Sequence, residues 1–189
     1  MAGMSKESAI ASYVIEAGMS RFTVRGFAGG LLSGLGHNPV VSIPDFAGDA
    51  HWDPGDPAKA SLRLRIRATA LAVQNDISDK DRREMERVMR EEVLETERYP
   101  EIAFESTGVS GNTGNRVEIA GILTLHGVTR RERVPAQIAV TGDMLRGFGE
   151  FTILQTDYRI KLASVAGGAL KLKDELKFNF DIVARRKAD

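Results

Sequence analysis

The chain carries three histidines, His37, His51 and His126, and no cysteine. Without a thiol there are no disulfides, cysteine nucleophiles, zinc–thiolate sites or iron–sulfur clusters. The histidines form no pair at i, i+2 or i, i+4, and no carboxylate cluster stands beside them, so no metal site is expected. A Gly-x-Ser-x-Gly nucleophile elbow is missing. Gly34-Leu35-Gly36-His37-Asn38-Pro39 opens like a dinucleotide fingerprint, but proline occupies the third glycine position and no strand-to-helix context surrounds it. Gly29 and Gly34 have phosphate-loop spacing, yet Leu35 stands where the lysine belongs. These residues assign no catalytic group and no cofactor, and the expectation is a protein that is not an enzyme. His37 stands out because Gly34, Gly36 and Pro39 give it a stiff loop, a place to meet the polar end of a ligand. An alternative keeps His37 or His126 as the general base of a small hydrolase-like enzyme.

Arginine makes two clusters, Arg63, Arg65 and Arg67, and Arg130, Arg131 and Arg133. Lys+Arg and Asp+Glu each number 26, so the net charge is zero, and no aromatic residues interleave within these two clusters. Nucleic-acid binding needs a basic excess and stacking platforms, so no nucleic-acid partner is expected. The arginines read as outward strand faces paired with neighbouring acids.

The elements that hold these residues follow from a period of two, the mark of strands with one buried face. Leu176, Phe178, Phe180 and Ile182 alternate with Lys177, Asn179 and Asp181, and Leu62, Leu64 and Ile66 alternate with the first arginine cluster. Val117, Ile119, Gly121, Leu123 and Leu125 share a face, as do Val134, Ala136, Ile138 and Val140. Leu145, Gly147, Gly149, Phe151 and Ile153 form another such set; Phe22 with Val24 and Ile102 with Phe104 make shorter ones. Gly142-Asp143 reads as a hairpin turn. Eight or nine strands with short loops predict an all-β meander, closed as an eight-stranded antiparallel barrel that leaves no edges. One helix, about residues 78–98, breaks the pattern. Ser78 caps it with Asp81, Met85, Val88, Met89 and Val93 form a thin apolar stripe, and Tyr99-Pro100 ends it. So thin a stripe places the helix across the barrel wall or one mouth.

The 189 residues suit a tail over residues 1–10 and one domain over residues 11–187. No apolar run reaches the length of a membrane span, and the N-terminus lacks the apolar core of a secretory signal. A cytoplasmic location is the expectation, or a periplasmic one if a leader has been removed.

An eight-stranded barrel either fills itself with side chains or holds one slender ligand. The inward sets mix large residues with small ones such as Ala68, Ala136, Gly121, Gly147 and Gly149, so the period leaves open a channel or a filled core serving as a protein-interaction module. A channel here is apolar, and its natural guest is a long hydrocarbon chain.

Tyr99-Pro-Glu-Ile-Ala-Phe-Glu-Ser-Thr107 and Leu123-Thr-Leu-His-Gly-Val-Thr129, with Gly121 ahead of it, resemble the signatures of the YceI-like family, lipocalin-like polyisoprenoid-binding proteins. Gln155-Thr-Asp-Tyr158 and Lys173 to Phe180 are similar to its later segments, with Arg159 where the family usually has glycine. The resemblance implies a lipocalin-like barrel with a side helix and an apolar pore for an isoprenoid, an isoprenoid quinone or a fatty-acid-type lipid. Such a protein carries, stores or senses its guest, needs no cofactor besides it, and is often a homodimer. His126, Gly127 and Thr129 carry over as residues that shape the turn. The pore-lining candidates are Phe22, Val24, Leu62, Leu64, Ile66, Phe104, Leu123, Leu125, Ile138, Phe151, Ile153, Phe178 and Phe180, with His37 at the mouth.

Overall fold

A computed structural model describes residues 10–29, 38–111, 115–165 and 170–188. Residues 1–9 of the expected tail, and His37, lie outside the described residues. The strands are β1 (Ala11–Ile15), β2 (Arg21–Gly29), β3 (Val40–Ser42), β4 (Phe46–Trp52), β5 (Ser61–Arg67), β6 (Ala72–Val73), β7 (Glu101–Gly111), β8 (Arg116–Leu125), β9 (Val128–Thr141), β10 (Met144–Leu154), β11 (Ser164–Val165) and β12 (Leu170–Arg186), with the helix α1 (Asp79–Val88) between β6 and β7.

The ring β1–β4–β5–β7–β8–β9–β10–β12 closes on itself because β12 also pairs with β1, which makes an eight-stranded antiparallel barrel. Three of its staves are broken midway. β1 and β2 both run along β12, with Tyr13 opposite Arg186 and Phe22 opposite Phe180; a 3₁₀ turn, Ala17–Met19, separates them. β3 and β4 follow the same course beside them, and β5 and β6 do so next, broken by the 3₁₀ turn Ala68–Ala70. Among the described residues β6 pairs with β3 alone and β7 pairs with β5 and β8, so the wall they form lacks a β6–β7 seam. α1 covers it. Arg82 donates to the carbonyls of Val73 (2.6 Å) and Asn75 (3.1 Å), and Glu86 accepts from the Val73 N–H (3.0 Å). Two side chains thus satisfy the open edge of β6, which would otherwise be a template for foreign strands.

Alternation fixes which side chains face in. β8 buries every second residue from Val117 to Leu125. In β7 a bulge between Ser106 and Gly108 inserts one residue, so the buried face passes from Phe104 to Val109. The arginines of β5 face out and meet acids on adjacent segments: Arg63 with Glu105, Arg65 with Glu101, Arg67 with Asp45.

The helix is shorter than its charge pattern predicts. Ser78 caps it, accepting from the Asp81 N–H at 3.1 Å, but regular α-helix ends at Val88 and a π turn, Met89–Val93, follows. Glu95 then takes a left-handed φ of 46°. There the Glu95 side chain meets His126 on the barrel, and the chain has turned aside before Pro100.

Of the two roles left open for small inward residues, Gly121 and Gly149 take the packed one. A Cβ on Gly121 would sit 2.3 Å from the Phe104 ring, and one on Gly149 would sit 2.6 Å from the Pro135 carbonyl and 3.0 Å from Phe180. These glycines let aromatic rings lie flat on the wall. Ala68 and Ala136 are buried in packed surroundings.

Candidate functional site

The interior is hollow. A cavity of about 610 Å³ runs along the barrel, within the range of small-molecule sites. Its wall is almost wholly aliphatic and aromatic. Phe151 and Phe178 stack with centroids 4.8 Å apart, and Phe22 stands edge-on to Phe180 at 6.5 Å, so the rings line the wall. Every apolar candidate from the strand parity lines the cavity except Ile153. Ile153 faces inward but packs behind the surface with Leu123, Leu125, Tyr158 and Ile160.

The parity reading missed other lining residues. Met85, Val88, Met89 and Val93, the stripe of α1 and its π turn, form the wall where β6 and β7 do not meet. Their helical spacing was the available signal. Val109 became inward through the bulge, Trp52 and Val73 sit in short or interrupted strands, and Ile43 lies in the link between β3 and β4, so none shows a period.

Polar lining groups lie at the ends. Asn75, Gln155, Glu84 and Lys171 stand at the mouth, near α1 and the start of β12. Glu84 is bound on the outer side of the helix by Arg87, which also holds Glu91 and Glu92. Gln155 is buried and donates to the Lys173 carbonyl at 2.9 Å. At the opposite end His51 Nδ1 lies 3.0 Å from Ser61 Oγ.

The mouth is pinned on one side by the segments whose motifs stood out. Leu125-His126-Gly127-Val128 is a two-residue hairpin with φ of 51° and 70° at its centre, the geometry of a type I′ turn. His126 Nε2 is 2.8 Å from Glu95 Oε2, its Nδ1 is 3.1 Å from the Tyr158 carbonyl oxygen, and its ring lies 4.6 Å from that of Tyr99. A Cβ on Gly127 would lie 2.5 Å from the Tyr99 ring, so both conformation and contact require glycine. The buried Tyr158 hydroxyl donates to Glu132. Burial first, and the Glu132 carboxylate second, push the phenol well above its usual range. His126 is thus a strut between three segments, and His51 sits at the other end of the barrel, so the two described histidines do not meet.

The sequence profile described as "YceI-like domain" matches residues 11–184. A UPF0312 protein of Shewanella sp. (strain ANA-3) is 28% identical over 138 residues, 69% of each chain. Protein YceI of Escherichia coli O6:H1 is 30% identical over 121 residues, 64% of this chain and 59% of that protein. Among solved structures, Burkholderia cenocepacia BcnA superposes with a TM-score of 0.72 at 18% identity, covering 89% of this chain and 98% of that one. A polyisoprenoid binding domain from Saccharophagus degradans superposes with a TM-score of 0.66 at 14% identity, covering 95% and 100%. At such identities the two structures speak for the shared barrel.

Proposed function

The chain belongs to the YceI-like domain family, and on that premise we propose that its lumen takes one long apolar or amphiphilic chain, for carriage, storage or sensing. The guest is of the polyisoprenoid, isoprenoid quinone or fatty-acid type. The observation that carries this reading is the apolar cavity of about 610 Å³, which at roughly 30 Å³ per water-sized group has space for about twenty carbons. A neighbour described as a polyisoprenoid binding domain shares the barrel, which supports the same class of guest.

Desolvation is the driving force. At about 0.8 kcal/mol per buried methylene, twenty carbons contribute about 16 kcal/mol, against about 4–15 kcal/mol of lost freedom on association. The balance of about 1–12 kcal/mol reaches micromolar binding without any polar anchor when the association cost is about 8 kcal/mol or less. The parity-assigned side chains, Phe22, Leu64 and Phe178 among them, supply the burying surface, and the reading is binding, with no chemical step.

Titration of delipidated protein with geranylgeraniol, an isoprenoid quinone and palmitate tests this through Trp52 fluorescence and thermal unfolding. Saturation at one chain per barrel, with a rise in Tm, is the expected result. No saturable change with any of the three would overturn the reading.

A further inference from the structure

We infer, building on the reading above, that a guest enters the lumen beside α1 and that Trp52 is the floor its tail meets, so that this residue sets the longest apolar tail the barrel accepts. The two ends of the cavity are unlike. Where β1 and the last residues of β12 meet, Tyr13, Ala11 and Ala184 are buried in one packed cluster and lie behind the cavity surface. Val117 and Ala136 close the facing wall.

Trp52, the last residue of β4 and the only tryptophan of the chain, is paired with Ala11 and does line the cavity. It packs against both of those clusters and so bridges the two walls. Ala60 lines the cavity beside it. The polar pair at this end, His51 and Ser61, bond each other.

At the opposite end, Asn75, Gln155 and Lys171 border the cavity next to α1. A tail that enters there leaves its polar head among groups that can hydrogen-bond it, and its methyl end travels towards the indole. In the reverse orientation the head would meet the indole and the His51–Ser61 pair, whose polar atoms already engage each other. Each added methylene should strengthen binding about fourfold until the tail reaches Trp52, after which the gain stops.

The test is a series of primary alcohols from dodecanol to hexacosanol, read by displacement of a fluorescent fatty-acid analogue. The wild-type protein is expected to show an affinity that climbs and then breaks at one chain length. Trp52→Ala should move the break to longer chains by several carbons, and Ala60→Phe should move it to shorter ones. In the wild-type protein, fatty acids brominated at the terminal carbon should quench Trp52, and those brominated beside the carboxyl should not, a measurement that needs no variant. An unchanged break in both folded variants, or quenching by the carboxyl-side bromine alone, overturns the assignment of Trp52 while leaving lipid binding intact. Failure of the wild-type protein to bind any member of the series overturns the lipid reading itself.

Discussion

At the floor of the barrel Tyr13, Ala11, Leu145 and Ala184 close the end by bulk, each nearly out of contact with solvent, and the Gly142-Asp143 hairpin is as short as a connection can be. At the mouth the closing elements are held largely by side-chain hydrogen bonds, Arg82 and Glu86 of α1 on β6 and Glu95 on His126, with Met89 and Leu94 packed on the core. Bulk burial loses free energy steeply when its surfaces part, whereas a few hydrogen bonds of about 1 kcal/mol each can be exchanged with water at small net loss. A barrel that must stay closed while its guest passes is therefore best closed by packing at one end and by hydrogen bonds at the other.

The sharpest way to break this contrast is to truncate one side chain at each end. Tyr13→Ala should cost about 3–5 kcal/mol in urea unfolding, as expected for a large buried aromatic. Met85→Ala, half-exposed on the helix, should cost less than about 1 kcal/mol. Equal losses would show that the mouth is packed like the floor. Next in size is Gly127→Ala, which meets both the left-handed backbone and the Tyr99 ring. A loss of about 2 kcal/mol is expected, read by the same unfolding curves.

The pinned side of the mouth also has a pH signature. Tyr158 titrates near pH 10 in the unfolded chain and well above that when folded, because burial and Glu132 disfavour the phenolate. Above pH 10 the folded state therefore holds more protons than the unfolded one, and stability falls as pH rises. The slope contributed by this group is at most about 1.4 kcal/mol per pH unit, and Tyr158→Phe should remove it in unfolding curves taken from neutral to strongly alkaline pH. The smallest effect is a gain. Arg159 adopts a left-handed φ of 56°, where the family usually has glycine. Arg159→Gly should raise stability by up to about 1 kcal/mol, measured as a higher urea midpoint with unchanged slope.

The same contrast explains what was legible in the sequence. β7 to β10 and β12 are long and turn one face inward, so alternation revealed much of them, the hairpin at Gly142 and most of the lumen. Alternation carries no information about insertions. The Thr107 bulge that turns Val109 inward, and the breaks at Ala17–Met19 and Ala68–Ala70, are settled by partners far away in the chain. The early end of the helix coincides with a Glu95–His126 contact between residues 31 apart, which no local propensity contains. Ile153 shows the limit of parity: it points inward, yet whether an inward residue touches the cavity depends on what packs in front of it. Glycine size left the question open for the same reason, since Gly121 is small to seat Phe104 while Gly147 borders the cavity.

The central claim is a hollow apolar lumen occupied by a single chain. It is tested most directly by purifying the protein without detergent, extracting it with organic solvent and identifying the extract by mass spectrometry. The account predicts one long-chain lipid per barrel. An extract free of such lipid, from protein that also gains no thermal stability from added polyprenols, would contradict it.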